Sequence, residues 1–325
     1  MNLEGMAHRD DNTAATETAG AHPAESVSGL YSAIEESARL LEVTCSPGKV
    51  MPILTAYGDA IADAVIAFRV ATGERNAGEL DCRFSIPLDV DPYALAVANG
   101  FVTDTDHPAG SLLADIAERC PLDCYGIDFG VVGGFKKIWT VLRRGDLQGV
   151  ARLAEIPSMP RSLGESIDFF TRHRLGDTAG LLGIDYRNRT VNVYFGEQPA
   201  ECFEPDTIRS MLDELGQGQP SEHLLELARR AFGIYVTLSW DSPKLERICF
   251  AVATRDPKEL PVRIDPAIAR FVKHVRDSDP GTKFVYAVAS SPHGEYYKLQ
   301  SYYRWQPRVL DMMQLPDGAA VADPV

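Results

Sequence analysis

Apolar and polar positions alternate along this chain in short runs, and the runs come in pairs. The pairs lie at 63–71/79–86, 122–130/134–143, 180–186/189–196, 232–239/245–253 and 282–290/295–304. Their turns centre near 75, 132, 187, 242 and 293. A period of two places alternate side chains on opposite faces of a strand. A unit that recurs at a regular interval is one supersecondary element used repeatedly. Five hairpins make ten antiparallel strands, a number suited to closure into a wide barrel without exposed edges. The fold class read from this pattern is α+β: a ten-stranded antiparallel β-barrel of five αββα repeats, with helices outside and a solvent-accessible lumen.

The alternation also says which face points inward. In 190–195, Val191, Val193 and Phe195 share one face, and Thr190, Asn192 and Tyr194 the other. In 80–86, Leu80, Cys82, Phe84 and Ile86 oppose Asp81, Arg83 and Ser85. Arg69 opposes Phe68 and Val70, and Arg247 opposes Ile248 and Phe250. Lys298 shares a face with Tyr296, Gln300 and Tyr302. Segments between the hairpins carry helical spacing, so helices cover the apolar face and the polar, aromatic face lines the lumen.

Helices are predicted at about 30–41, with Ser28 as cap, and at 47–60, 91–99, 108–119, 146–154, 160–173, 206–215, 221–230 and 266–275. A short closing helix is predicted near 307–314. Residues 1–27 have no periodicity and read as a disordered tail, 28–315 as one domain, and 316–325 as a flexible tail.

Charge sharpens the functional picture. The 325 residues carry a formal net charge of -14, which disfavours nucleic acid and anionic membrane as partners. Cations that converge inside an acidic protein point to a small anionic ligand. No apolar run reaches membrane-spanning length, and no basic segment followed by an apolar run opens the chain. A cytoplasmic monomer is expected. The six cysteines lack zinc or redox spacing and read as free thiols, and the histidines lack ligand spacing. Gly133-Gly134 sits inside a hairpin, so it is a turn rather than a phosphate loop.

Several local motifs resemble the soluble bacterial aromatic prenyltransferases of the ABBA, or PT-barrel, family over about residues 28–305. They are Gly133-Gly134-Phe135-Lys136-Lys137, Ile156-Pro157-Ser158-Met159-Pro160, Asp185-Tyr186, 191–195, Tyr235-Val236-Thr237-Leu238 with Trp240, 247–252, and Glu295-Tyr296-Tyr297-Lys298-Leu299 with Tyr302-Tyr303. Their joint order is specific, whereas any one alone is weak. The resemblance implies transfer of a dimethylallyl or geranyl group from its diphosphate to an electron-rich aromatic ring in secondary metabolism. It assigns Lys137, Asn192, Tyr235, Arg247 and Lys298 to the diphosphate, with Lys137, Tyr235, Arg247 and Lys298 as the catalytic set. The prenyl and acceptor pocket falls to Asp81, Trp139, Tyr194, Gly233, Gln300 and Tyr302, with Thr237 on the acceptor side.

Magnesium-using members place an aspartate where this chain has Asp81. Arg83 and Arg69 stand here in place of small residues of those members. The expectation is that both guanidinium groups join the diphosphate site, hold Asp81 as ion-pair partner and replace the metal, so that no cofactor is needed. The paired arginines look most like members acting on dihydrophenazine carboxylates or hydroxynaphthalenes. Gln300 stands where some members have a carboxylate base, which leaves diphosphate, water or Glu295 to take the proton; Glu295, beside a turn, is expected to be exposed. The reading from another class is a non-catalytic barrel that carries anionic aromatic or isoprenoid ligands.

Overall fold

The computed structural model describes residues 26–72, 78–143, 145–260, 264, 266–279 and 282–304. Both predicted tails, apart from residues 26 and 27, and the predicted helix at 307–314 lie outside the described residues. Ten strands form five hairpins: β1 (Ile66–Ala71) with β2 (Asp81–Ile86), β3 (Leu122–Gly130) with β4 (Gly134–Leu142), β5 (Ala179–Asp185) with β6 (Thr190–Phe195), β7 (Gly233–Ser239) with β8 (Arg247–Thr254), and β9 (Phe284–Ser291) with β10 (Gly294–Arg304). Every neighbouring pair is antiparallel, and β1 pairs with β10, so the sheet is a closed barrel. None of the ten described strands is left at an open edge.

Closure works because the two faces differ in kind. Phe68, Phe84, Phe129, Ile138, Ile184, Val193, Val236, Phe250, Val288 and Leu299 lie on the outer face, buried in one continuous core. Phe84 meets Tyr57 and Phe129 edge-on, with ring centroids 5.8 and 6.1 Å apart. The helices supply the other half of this core. They are α1 (Val27–Leu40), α2 (Pro47–Ala56), α3 (Gly58–Ile61), α4 (Pro92–Ala98), α5 (Pro108–Arg119), α6 (Val150–Ala154), α7 (Arg161–Glu165), α8 (Ile167–Arg172), α9 (Pro205–Glu214), α10 (Glu222–Ala228) and α11 (Pro266–Ser278). α1 turns Leu30, Ile34 and Ala38 inward, an i, i+4, i+8 stripe.

Several helix boundaries differ from the sequence expectation: α6 begins at Val150 rather than 146, and α11 runs on to Ser278 rather than ending near 275. The cap of α1 is Ser26, not Ser28: its hydroxyl accepts from the Gly29 amide at 3.2 Å. The helix expected over 47–60 breaks at Tyr57, whose hydroxyl donates to the Pro92 carbonyl at 2.8 Å and ties the break to α4. The helix expected over 160–173 breaks at Ser166. Periodicity alone does not register such breaks, since both halves keep an apolar face on the barrel.

A second, smaller apolar cluster lies inside the barrel. Tyr235, Cys249, Ala251, Ala287 and Ala289 form it, with Tyr194, Phe232, Val285 and Tyr296 against them. Small residues on β8 and β9 therefore keep one wall of the lumen low.

Candidate active site

Register places charged residues of adjacent strands side by side inside the barrel. Arg83 pairs across strands with Asp128, Asp128 with Lys137, and Lys137 with Asp185. The row thus alternates in sign over β2 to β5. Arg83 Nη2 lies 3.0 Å from Asp128 Oδ2, and Lys137 Nζ lies 3.4 Å from Asp185 Oδ2. Arg69 Nη2 joins the ladder from β1, 2.5 Å from Asp81 Oδ2 and 3.2 Å from Asp128 Oδ2. Asp128 is fully buried. Burial alone would raise its carboxyl, but Arg69, Arg83 and Lys137 outweigh that and hold it well below the usual carboxylate range.

Asp128 is absent from the sequence-based site. The signal was there: it lies between Ile127 and Phe129 with inward parity. Reading basic residues alone missed the anion that holds two of them. Asp81, expected to pair with both arginines, pairs with Arg69 and Lys136, while Arg83 goes to Asp128. Lys136 reaches the inner end of the strand because the β3–β4 register slips between Asp128 and Phe129. Its ammonium bridges Asp81 and Glu79. The Glu79 carboxylate accepts from the Val132 and Gly133 amides, both at 2.9 Å. The Gly133-Gly134 turn therefore holds the protein's own carboxylate.

The opposite side of the lumen is different. Among the ion pairs of the described residues, Arg247 and Lys298 have no carboxylate. Arg247 donates to the hydroxyls of Tyr296 and Thr237, both at 2.7 Å, and to Asn192 Oδ1 at 3.4 Å. Lys298 Nζ donates to the Tyr235 hydroxyl at 3.0 Å. Burial, then the charges of Arg247 and Arg69, push the Lys298 ammonium well below the usual lysine range. Burial also lowers Lys137, although Asp185 and Asp128 oppose the shift. A dianion placed here would find donors already aimed and positive charge already desolvated.

An aromatic wall connects the two sides. Trp139 meets Tyr194 edge-on at 5.0 Å, and Tyr194 stacks on Tyr235 at 4.3 Å. The Arg83 guanidinium lies 4.1 Å from the Trp139 ring centre. Gln300 donates to the Tyr302 hydroxyl at 2.8 Å, and burial pushes the Tyr302 phenol up to about 12.

Every sequence-predicted site residue falls on the inward face: Arg69, Asp81, Arg83, Lys137, Trp139, Asn192, Tyr194, Gly233, Tyr235, Arg247, Lys298, Gln300 and Tyr302 share the in-register inner rows. Thr237, expected on the acceptor side, instead supports Arg247. Tyr296 also touches Arg247 and was not selected from the sequence. Asp185, part of the Asp185-Tyr186 family motif, accepts from the Asn188 amide at 2.8 Å and also pairs with Lys137. Glu295 faces outward and is not exposed: it accepts from the Ser221 amide at 2.7 Å and the Ser221 hydroxyl at 2.6 Å. That removes it as a proton acceptor in the lumen.

Comparison with known proteins gives a consistent picture. Residues 25–312 match the family described as aromatic prenyltransferase Orf2. The chain is 50% identical over 290 residues to 5,10-dihydrophenazine-1-carboxylate 9-dimethylallyltransferase of Streptomyces anulatus, covering 89% of this chain and 97% of that one. It is 48% identical over 280 residues to the furaquinocin biosynthesis prenyltransferase of Streptomyces sp. (strain KO-3988), covering 86% and 91%. It is also 48% identical over 280 residues to flaviolin linalyltransferase of Streptomyces virginiae, covering 86% and 93%. Among the described residues, no helix is long and apolar enough to cross a membrane.

Proposed function

The chain belongs to the aromatic prenyltransferase Orf2 family, and from that premise we propose that it joins a dimethylallyl or geranyl group to a dihydrophenazine carboxylate or hydroxynaphthalene without a metal ion. It is an enzyme that uses an allylic diphosphate donor and an aromatic acceptor; the carrier reading is set aside. The observation that carries the mechanistic reading is the pair of lumen cations, Arg247 and Lys298, that lack carboxylate partners among the described residues.

The steps follow from the groups in place. The donor's diphosphate sits against Arg247, Lys298, Lys137, Asn192 and the Tyr235 hydroxyl. As the allylic C–O bond breaks, its electron pair leaves with pyrophosphate, and these fixed donors meet the growing charge. Pyrophosphate beside Lys298 favours the charged ammonium, against the burial that disfavours it. The faces of Tyr194, Tyr235 and Trp139 flank the allylic cation and keep water away. A ring carbon of the acceptor supplies the pair for the new C–C bond, and the arenium proton then leaves. Gln300 cannot take it and Glu295 faces outward, so departing pyrophosphate or water accepts it.

The surroundings of Asp81 do not suit a divalent ion. One carboxylate oxygen is taken by Arg69 and the other by Lys136, with Arg83 on the adjacent inner position. Both oxygens of Asp81 are thus held by the protein's own cations, which leaves neither free to ligate a metal ion. Arg69 and Arg83 take the electrostatic part of a metal, steadied by Asp81 and Asp128. We infer that turnover of dimethylallyl diphosphate with 5,10-dihydrophenazine-1-carboxylate, read as pyrophosphate release and prenylated product, persists undiminished in excess EDTA. Loss of turnover that magnesium restores contradicts the metal-free reading. A cytoplasmic monomer, one domain over 28–315, remains our reading of its state.

A further inference from the structure

Gly183 has no backbone reason to be glycine. It lies mid-strand in β5 and is absent from the positive-φ residues. Its neighbour across the sheet is Trp139, its register partner on β4. A Cβ built on Gly183 would sit 2.5 Å from Trp139 Cζ3 and 2.6 Å from Cε3. Such distances are far inside contact, so the indole occupies the space a side chain would need. The ring is also held from its other sides, by the Arg83 guanidinium at 4.1 Å and by Tyr194 at 5.0 Å. On the opposite flank, a Cβ on Gly126 would meet Trp139 Cβ only at 3.5 Å, an ordinary contact.

We propose that Gly183 sets how long a prenyl chain the lumen accepts, by seating the Trp139 indole in the space its own side chain would fill. The proposal rests on reading the lumen as the donor site. Behind the ring is the backbone of β5, so a methyl at 183 drives the indole about 1 Å toward the lumen axis before normal contact is restored. The ring lies one inner position along β4 from Lys137, where a chain whose diphosphate is anchored on the cations runs past the aromatic wall. A five-carbon chain ends earlier on that path than a ten-carbon chain, so displacement of the ring shortens the longer one's room selectively.

The test measures dissociation constants by calorimetry on the full chain, with inorganic pyrophosphate and with unreactive thio-diphosphates carrying five and ten carbons. Gly183→Ala should raise the ten-to-five-carbon ratio by about tenfold and leave pyrophosphate within about twofold. Gly126→Ala should leave the ratio unchanged. Added to Gly183→Ala, Trp139→Leu should bring the ratio back to the wild-type value; alone it should lower the ratio below wild type, which keeps the test alive if Gly183→Ala does not fold. An unchanged ratio in Gly183→Ala, pyrophosphate affinity falling in step with it, or no relief by Trp139→Leu overturns the proposal. Failure of the wild-type chain to bind pyrophosphate strikes the anion-site reading itself, and this one with it.

Discussion

Arg247→Ala and Lys298→Met each lower kcat/KM for the allylic diphosphate by about a hundred- to a thousandfold, while the barrel remains folded. The loss is large because both cations sit in an enclosed lumen where each donor acts on the leaving group at low effective dielectric. Among the described residues neither has a carboxylate to neutralise it, so its field is available to a ligand. Stability responds in the opposite sense to activity. Lys298 is buried, and Arg247 and Arg69 add repulsion, so the folded state holds its ammonium at a cost. A folded-state pKa below the unfolded value means that protonation opposes folding; the cost is full below the folded pKa and fades as pH rises through the unfolded one. Replacing this lysine by an apolar side chain of similar length therefore melts at or above the wild-type temperature near neutral pH. Steady-state pyrophosphate release and thermal melts check both halves. Near-wild-type turnover in either variant, or a collapse of the fold in Lys298→Met, goes against the account.

Asp128→Asn has the second large effect, and it falls on stability. Asp128 accepts from Arg69 and Arg83 and has no access to solvent. The amide keeps the shape and removes the charge, so two half-buried guanidinium groups lose their shared counter-ion. Breaking a buried pair on one side costs about 3–5 kcal/mol, because the partner's charge stays desolvated. The wild-type contribution is present above the ordinary aspartate pKa and is lost only as pH falls through the depressed folded value. Urea unfolding at neutral pH measures the difference. Glu36→Gln, which breaks the exposed pair with Arg39, serves as the contrast and leaves the midpoint in place. An Asp128→Asn midpoint equal to wild type would falsify the view that this carboxylate anchors the ladder.

The barrel was legible because a period of two is hard to disguise. A one-residue slip moves every side chain to the other face, so the alternation in 190–195 or 80–86 fixes which residues look inward. That logic placed Arg69, Asn192, Arg247 and Lys298 on one inner face, whereas Lys137 entered through the family resemblance. It failed where the sheet departs from regularity. Lys136 has outward parity, yet the slip beside Asp128 lets it reach Asp81. The pairing of Arg83 with Asp128 rather than Asp81 follows from the register of β2 on β3, which no single strand encodes. Glu295 read as exposed because it opens a strand, and only the docking of α10 shows that it serves Ser221. The seat of Trp139 on Gly183 joins residues more than forty positions apart. A glycine in a strand signals a close approach without naming its partner.

The central claim is that the leaving group is received at Arg247 and Lys298, the two lumen cations without a carboxylate partner among the described residues, with Lys137 beside them. A crystal structure with an unreactive thio-diphosphate donor tests it most directly. The account predicts both phosphates within hydrogen-bond distance of Arg247, Lys298, Asn192 and the Tyr235 hydroxyl, with the prenyl chain along Tyr194 and Trp139. Phosphates bound at the outer surface, or inside the barrel but away from Arg247 and Lys298, would contradict it.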